Sequence, residues 1–273
     1  MDTHAPVFAL FVPADRPERF AKASAAGAGA VIIDLEDAVA PDDKIAARRI
    51  PAGALPVDRA AQLWLRVNAI GTPWHDEDVA FARAQGFDGV VLPKASSAAE
   101  VTDLRARLAS DCAIIALIES AAGLAAAREL AVAADRTAFG SIDFARDMGC
   151  AHTREMLHPA RHEMVLAARL ADRPAPLDGV TAATRDTDAV RNDARHASDM
   201  GLGGKLLIHP AQIAPARDGF RPDAAQVDWA KRVLLAAEGG GTVVVDGAMV
   251  DAPVVALAAR ILAREALATG DMA

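Results

Sequence analysis

The chain has 273 residues, 52% of them hydrophobic and 24% charged, with a formal net charge of −8. That balance excludes a disordered chain and leaves room for one large core. The acidic surplus argues against nucleic-acid binding, which needs clustered cations to displace counterions.

Taken in chain order, short apolar runs alternate with alanine-rich stretches of helical character. Residues 7–13 read as a strand, followed by a helix over 18–28. The run at 30–36 gives a second strand. Residues 63–68 give a third, followed by a helix over 76–85. Then come the pairs 89–94 and 97–108, 113–120 and 124–134, and 137–143 and 155–171. The last strands are 177–181, with a helix over 186–200, and 205–210. Near-continuous apolar strands suit a parallel sheet covered on both faces. Asp or Ser opens several helices, and Gly86 and Gly201 close two of them. Eight strands with helical crossovers predict an α/β fold, a (β/α)8 TIM barrel, over residues 1–221. No Gly-x-Gly-x-x-Gly follows a strand, which removes the best support for a dinucleotide-binding sheet.

The segment 222–273 departs from this rhythm and is expected to form a C-terminal extension with a lid. It holds a helix near 227–238, a glycine run at 239–241, a short strand Val243–Val245, Asp246-Gly247, and a helix from about Val254. Cys112 and Cys150 have no zinc spacing and read as ordinary thiols. The apolar run at 7–12 ends at Pro13, too short for a membrane span or signal segment. A cytoplasmic protein with no membrane partner is the expectation.

In such barrels the reactive groups lie at the C-terminal ends of the strands. Polar residues collect there: Asp34, Glu36 and Asp37, then Arg66 and Asn68, Lys94, Glu119, Asp143 and His209. Glu119 and Asp143 each follow an apolar run, where a lone charge is costly. Two such carboxylates, with water and a chelating substrate completing the shell, suit Mg²⁺ or Mn²⁺. The alternative is that they cap helices. Arg66 offers a bidentate grip on a substrate carboxylate, or a buried ion pair to Asp34, Glu36 or Asp37. Asp37 can cap the turn that follows it, and Glu36 can bond to metal-bound water. His209 is as well suited to a structural hydrogen bond as to catalysis. Arg16 and Arg19, in the first loop, can meet phosphates or simply face solvent.

The motifs themselves carry a resemblance. FVPADRPERF at 11–20, VIIDLEDAV at 31–39, LRVN at 65–68, LPK at 92–94, LIE at 117–119, IHP at 208–210 and DGAMVDAP at 246–253 occur in order along nearly the whole chain. Together they resemble the citrate lyase β-subunit-like branch of the HpcH/HpaI aldolase and citrate lyase superfamily. The resemblance implies a Mg²⁺-dependent carbon–carbon lyase, with Mn²⁺ as a substitute, acting by reversible Claisen chemistry. Its substrates would be CoA or acyl-carrier thioesters of malyl, citramalyl or citryl type. It implies metal ligation by Glu119 and Asp143, and oxo-acid binding by Arg66. Arg16, Arg19 and Lys94 would bind the cofactor. Asp37 falls where related aldolases carry a histidine, close to the chemistry. Asp251, in the tail, matches an aspartate that reaches a neighbouring subunit's site, which implies a homo-oligomer, a trimer or hexamer. There it would serve as the base that exchanges a proton with the acetyl-type carbon.

Two departures stand out. Ser120-Ala121-Ala122 replaces a Thr-Ala-Arg run common in relatives, and Ile142 stands where an acidic residue usually precedes the metal aspartate. Two rival readings follow: a malate-synthase-like condensation with thioester hydrolysis, and a partner-dependent or non-catalytic subunit that binds an acyl carrier.

Overall fold

A computed structural model describes residues 7–51, 53–57, 59–238 and 243–269. Seven parallel strands make one sheet: β1 (Val7–Pro13), β2 (Ala30–Asp34), β3 (Gln62–Arg66), β4 (Gly89–Leu92), β5 (Ala113–Ile118), β6 (Arg136–Phe139) and β7 (Gly204–Leu207). Their order is β6-β5-β4-β3-β2-β1-β7, each pair of sequential strands lying side by side from β1 to β6. The ring closes at a seam of two residues. Leu177 bridges Ala138 of β6, and Asp178 bridges Lys205 of β7, both in parallel. Backbone bonds tie the seam on each side, Phe139 N to Leu177 O and Asp178 N to Gly204 O, both at 2.9 Å.

The barrel expected from sequence is therefore present, but its seventh strand is far shorter than 177–181. Pro176 cannot donate a ladder hydrogen bond just before it. Just after it, a Cβ on Gly179 would lie 2.9 Å from Phe139 O, so the backbones pass too closely for a side chain.

Alternation along the strands produces two cores. Ala9, Ile32, Trp64, Val91, Ile115, Leu117, Leu177 and Leu206 fill the barrel interior. Leu10, Val31, Ile33, Leu65, Val90 and Leu207 face the helices in the larger outer core. Gly89 has no Cβ because the Trp64 indole occupies that space, with Cε3 2.5 Å from where one would be.

The helices are α1 (Phe20–Ser24), α2 (Lys44–Arg48), α3 (His75–Gln85), α4 (Ala98–Arg107), α5 (Ala121–Ala125), α6 (Ala127–Ala133) and α7 (Ser141–Asp147). They continue with α8 (Arg154–Leu170), α9 (Thr187–Asp199), α10 (Ile213–Phe220), α11 (Ala224–Ala237) and α12 (Ala252–Thr269). Ser97 opens α4 with a full capping box to Glu100. Several sequence boundaries shift. The helix expected over 18–28 becomes a 3-10 turn, Pro17–Arg19, followed by α1. The one expected over 124–134 breaks at Ala126 into α5 and α6. The sixth strand stops at Phe139, because Gly140 is already the cap of α7.

In the tail, β8 (Val243–Val245) and β9 (Ala248–Val250) pair antiparallel, a hairpin of which only the first strand was expected. Asp246 and Gly247 both have positive φ, 51° and 80°, as a tight two-residue hairpin turn requires. The glycine run at 239–241 lies outside the described residues. Helices α11 and α12 pack around Ala230, Val233, Val250, Ala258 and Ile261. Arg264 donates to Phe220 O at 3.0 Å, and Arg221 pairs with Glu265, so α12 is fastened to α10 and its exit. Among the described residues no helix is long and apolar enough to cross a membrane.

Candidate active site

Register places the first pair of charges. Asp34 and Arg66 are directly opposed in the β2–β3 ladder and continue the interior faces of Ile32 and Trp64. They meet bidentately: Arg66 Nε donates to Asp34 Oδ1 at 2.7 Å, and Nη2 to Oδ2 at 2.6 Å. The same parity carries Phe11 inward, and the guanidinium lies 4.6 Å from its ring centroid. Asp34 also accepts from Glu36 N at 2.9 Å and Ala38 N at 3.1 Å. It is Asp34, not Asp37, that caps this turn.

Two edges of Arg66 are thus committed to Asp34. Its Nη1 remains, 3.0 Å from Glu36 Oε2 and 3.6 Å from Asp37 Oδ2. The bidentate grip on a substrate carboxylate expected from sequence is not geometrically open. Burial works against this cation, and the charges of Asp34, Glu36 and Asp37 more than offset it, so the group stays protonated.

Glu36 is buried and spans Arg66 and Lys94, whose Nζ bonds to Glu36 Oε1. Desolvation raises the Glu36 pKa against the pull of Arg66 and Lys94, with Asp37 adding to the rise. Lys94 itself has φ 53°, a left-handed backbone rare for a lysine. Its N–H donates to Glu119 Oε1 at 2.7 Å while its side chain reaches Glu36. Burial opposes the Lys94 charge, but the bond to Glu36 together with the charges of Glu36, Asp37 and Glu119 more than offsets it and raises the pKa.

Glu119 follows β5 with the interior parity of Ile115 and Leu117 and is 3% exposed. The backbone beside it must be glycine: a Cβ on Gly140 would fall 2.5 Å from Glu119 Cβ and 2.6 Å from Oε2. Burial raises its pKa to about 8, and the charges of Glu36 and Asp143 push the same way, against Arg66 and the Lys94 N–H. This is a carboxylate short of positive charge.

Asp143 corrects one expectation. It does not end a strand but sits in the first turn of α7, where the N-terminal dipole favours an anion. It pairs with Arg146 one turn on at 2.7 Å. Glu119, after β5, and Asp143, in α7, lie close enough for their charges to interact. Among the described residues no three acidic, histidine or cysteine side chains gather as a ready ligand cage. Two hard oxygen donors with open positions fit Mg²⁺ or Mn²⁺ completed by water and a chelating substrate.

The other sequence candidates divide. Arg16 precedes the 3-10 turn after β1 and Arg19 is its last residue; both are mostly exposed, and among the described residues their only ion-pair neighbours are loose ones at 3.8 Å, Asp15 and Glu18. Asp37 stands half exposed beside Arg66. His209 has the structural role: its Nδ1 accepts from Ala211 N at 3.1 Å and caps a short turn. Asp251 caps α12 by accepting from Val254 N at 3.2 Å, and among the described residues no bond or ion pair joins it to Glu119, Asp143 or Arg66. Ile142 is exposed on α7 beside Asp143.

Sequence reasoning missed two groups. Lys44, on α2, is buried and donates from Nζ to Leu35 O at 2.9 Å and Glu36 O at 2.7 Å. Arg48, one turn further, holds Asp78 at 2.7 Å, and Asp78 in turn accepts from Asn68 N and Nδ2. The i, i+4 spacing of two cations on a short helix beside an acidic strand end was the available signal.

A closed parallel barrel with paired carboxylates on its C-terminal rim defines the class of protein. The chain belongs to the HpcH/HpaI aldolase/citrate lyase family, whose model matches residues 8–210. It is 38% identical over 273 residues to a citrate lyase subunit beta-like protein of Mycobacterium tuberculosis, covering 96% of each chain. It is 36% identical over 271 residues to a (3S)-malyl-CoA thioesterase of Cereibacter sphaeroides, covering 95% of this chain and 94% of that one. Its fold matches the M. tuberculosis protein CitE, solved with magnesium, acetoacetate and coenzyme A, at a TM-score of 0.85 and 36% identity. That match covers 96% of this chain and 99% of CitE.

Proposed function

We propose that this chain is a Mg²⁺-dependent lyase that reversibly cleaves a hydroxyacyl-CoA-type thioester to an oxo acid and a shorter acyl thioester. The observation that carries the reading is Glu119, buried, charge-starved and set beside Asp143 on the rim of a family barrel. Both relatives and the solved CitE complex act on or hold ligands of this chemistry by their names.

Glu119 and Asp143 would hold the cation, which would supply Lewis-acid polarisation and a template for a chelating hydroxy acid. Arg66 offers its one remaining edge, Nη1, to the oxo-acid end and shares it with Glu36 and Asp37. Glu36 and Lys94 keep the Glu119 carboxylate oriented through the Lys94 N–H. Arg16 and Arg19 lie where a nucleotide phosphate can meet exposed cations. Asp251 reaches a neighbouring subunit's rim and exchanges the proton at the acetyl-type carbon, so the working enzyme is a homo-oligomer.

The test is to offer malyl-, citramalyl- and citryl-CoA with Mg²⁺ and to follow the oxo acid and the released thioester. Cleavage by the wild type that is lost on chelation and in Asp143→Ala is expected; cleavage that survives both would overturn the metal assignment. The thioesterase relative favours one second reading, hydrolysis of the thioester at the same site. Free CoA appearing in step with the hydroxy acid, with no oxo acid, is its signature.

A further inference from the structure

The end of β2 crowds carboxylates at Asp34, Glu36 and Asp37, and three cations answer them from different directions. Arg66 comes from β3 and Lys94 from the loop after β4, both along the rim. Lys44 comes from the other side, out of α2 in the helix layer. Among the described residues its ammonium makes no bond to a carboxylate. It donates instead to two consecutive carbonyls, Leu35 O at 2.9 Å and Glu36 O at 2.7 Å, and lies 5.3 Å from the Trp74 ring centroid. A buried ammonium has three donors and no acceptor, so two carbonyl bonds and a ring face fix it and whatever it holds.

What it holds is the peptide on either side of Glu36. The backbone N of that residue is fixed by Asp34 at 2.9 Å, its carbonyl by Lys44 at 2.7 Å. Its carboxylate then has one reach available, between Arg66 Nη1 and Lys94 Nζ. Lys94 passes the constraint on, because the same residue's N–H holds Glu119.

We infer that Lys44 is a positioning residue for the lyase chemistry, acting on Glu119 through Glu36 and Lys94 without touching substrate or metal. The inference deepens the proposed function and rests on it for its kinetic arm. Removing Lys44 loosens the Glu36 peptide, releases the carboxylate from between Arg66 and Lys94, and lets Glu119 move. The exposed arginines of the first loop stay where they are. The effect therefore falls on kcat and spares the KM for the thioester.

The experiment compares Lys44→Met, Lys44→Gln and Lys44→Arg with the wild type, by steady-state kinetics, thermal melting and crystallography. Lys44→Met is expected to lower kcat by about 30-fold with KM changed less than about threefold. Lys44→Gln, with one amide to donate, falls between, and Lys44→Arg recovers most of the rate. If Lys44→Met does not fold, the Gln and Arg pair decides the matter. A loss of melting temperature with kcat unchanged below the transition overturns the inference, as does a parallel rise in KM. If the wild type cleaves no thioester, the functional reading has failed and the crystal structures decide alone. Glu36 displaced from Lys94 in Lys44→Met or Lys44→Gln supports the positioning role; Glu36 unmoved overturns it.

Discussion

Two clusters of buried charge in this barrel are built to opposite ends. On the rim, Glu119 and Glu36 are desolvated among other carboxylates, and both are pushed toward holding a proton. At the seam, Asp178 lies between the sheet and the helices, where Arg161 Nε reaches it at 2.8 Å and Lys205 Nζ at 3.2 Å. Burial raises the Asp178 pKa, but the two cations more than reverse it and the net shift is down. The seam has its counter-ions within the chain. On the rim Arg66 and Lys94 are taken by Asp34, Glu36 and Asp37, and among the described residues Glu119 has no ion pair, so it is the carboxylate that can take up a cation. Depth of burial does not separate them, since Glu119 and Asp178 are both nearly inaccessible. The sign of the surrounding charge does.

The sharpest way to break the comparison is to neutralise the two acids in turn. Glu119→Gln is expected to lower kcat by about 10⁴-fold, while apo thermal stability measured above pH 8, where Glu119 is ionised, holds or rises because an ill-solvated charge is gone. Kinetics and melting on one preparation check it, and a destabilised apo protein would contradict the account of the rim. Asp178→Asn should do the reverse, costing about 3–5 kcal/mol in urea unfolding, since Arg161 and Lys205 are left buried without their anion.

A pH series separates the clusters without mutation. Burial holds the Glu119 pKa at about 8 in the folded protein, against an ordinary glutamate value of 4.5, so the folded state binds the proton more tightly. Its contribution is full below pH 4.5 and is lost as pH rises through 8, so chelated protein should melt about 5 °C lower at pH 8.5 than at pH 5.5. Saturating Mg²⁺ should flatten that slope. Asp178 has its pKa lowered, so its contribution is present above the ordinary aspartate value of 3.8 and is lost as pH falls through the folded value. A chelated protein with no fall toward pH 8 would remove the charge-starved reading of Glu119. The smallest effect belongs outside both clusters. Arg16→Ala and Arg19→Ala should each raise the KM for a CoA thioester by about three- to tenfold, with kcat and melting unchanged.

Much of this was legible from the residues in order. The apolar runs located the strands, and the acidic or basic residue ending each run located the rim. What sequence could not supply was parity across strands. Arg66 read first as a substrate clamp and second as a structural ion pair, and only the β2–β3 register, opposing Asp34 to Arg66, shows two of its edges taken by Asp34. Asp143 looked like a strand terminus because the apolar stretch through Phe139 is followed by Gly140, Ser141 and the apolar Ile142 before the acid. Gly140 is glycine for the sake of Glu119, and the helix begins there. Lys44 was passed over because no helix was expected between the second and third strands, and its two acceptors are backbone carbonyls.

The seam has a consequence for how the barrel opens and closes. Six of the junctions around the ring are ladders of several registered pairs, whereas Leu177 and Asp178 supply one bridge to each side. A hoop parts at its narrowest joint. Amide protons at 177 and 178 and at their partners in β6 and β7 would trade with solvent through a common opening, ahead of those in the β1–β3 ladders. The side-chain bonds of Asp178 to Arg161 and Lys205 then act as a latch, bolting from the helix layer a joint that the backbone alone holds thinly.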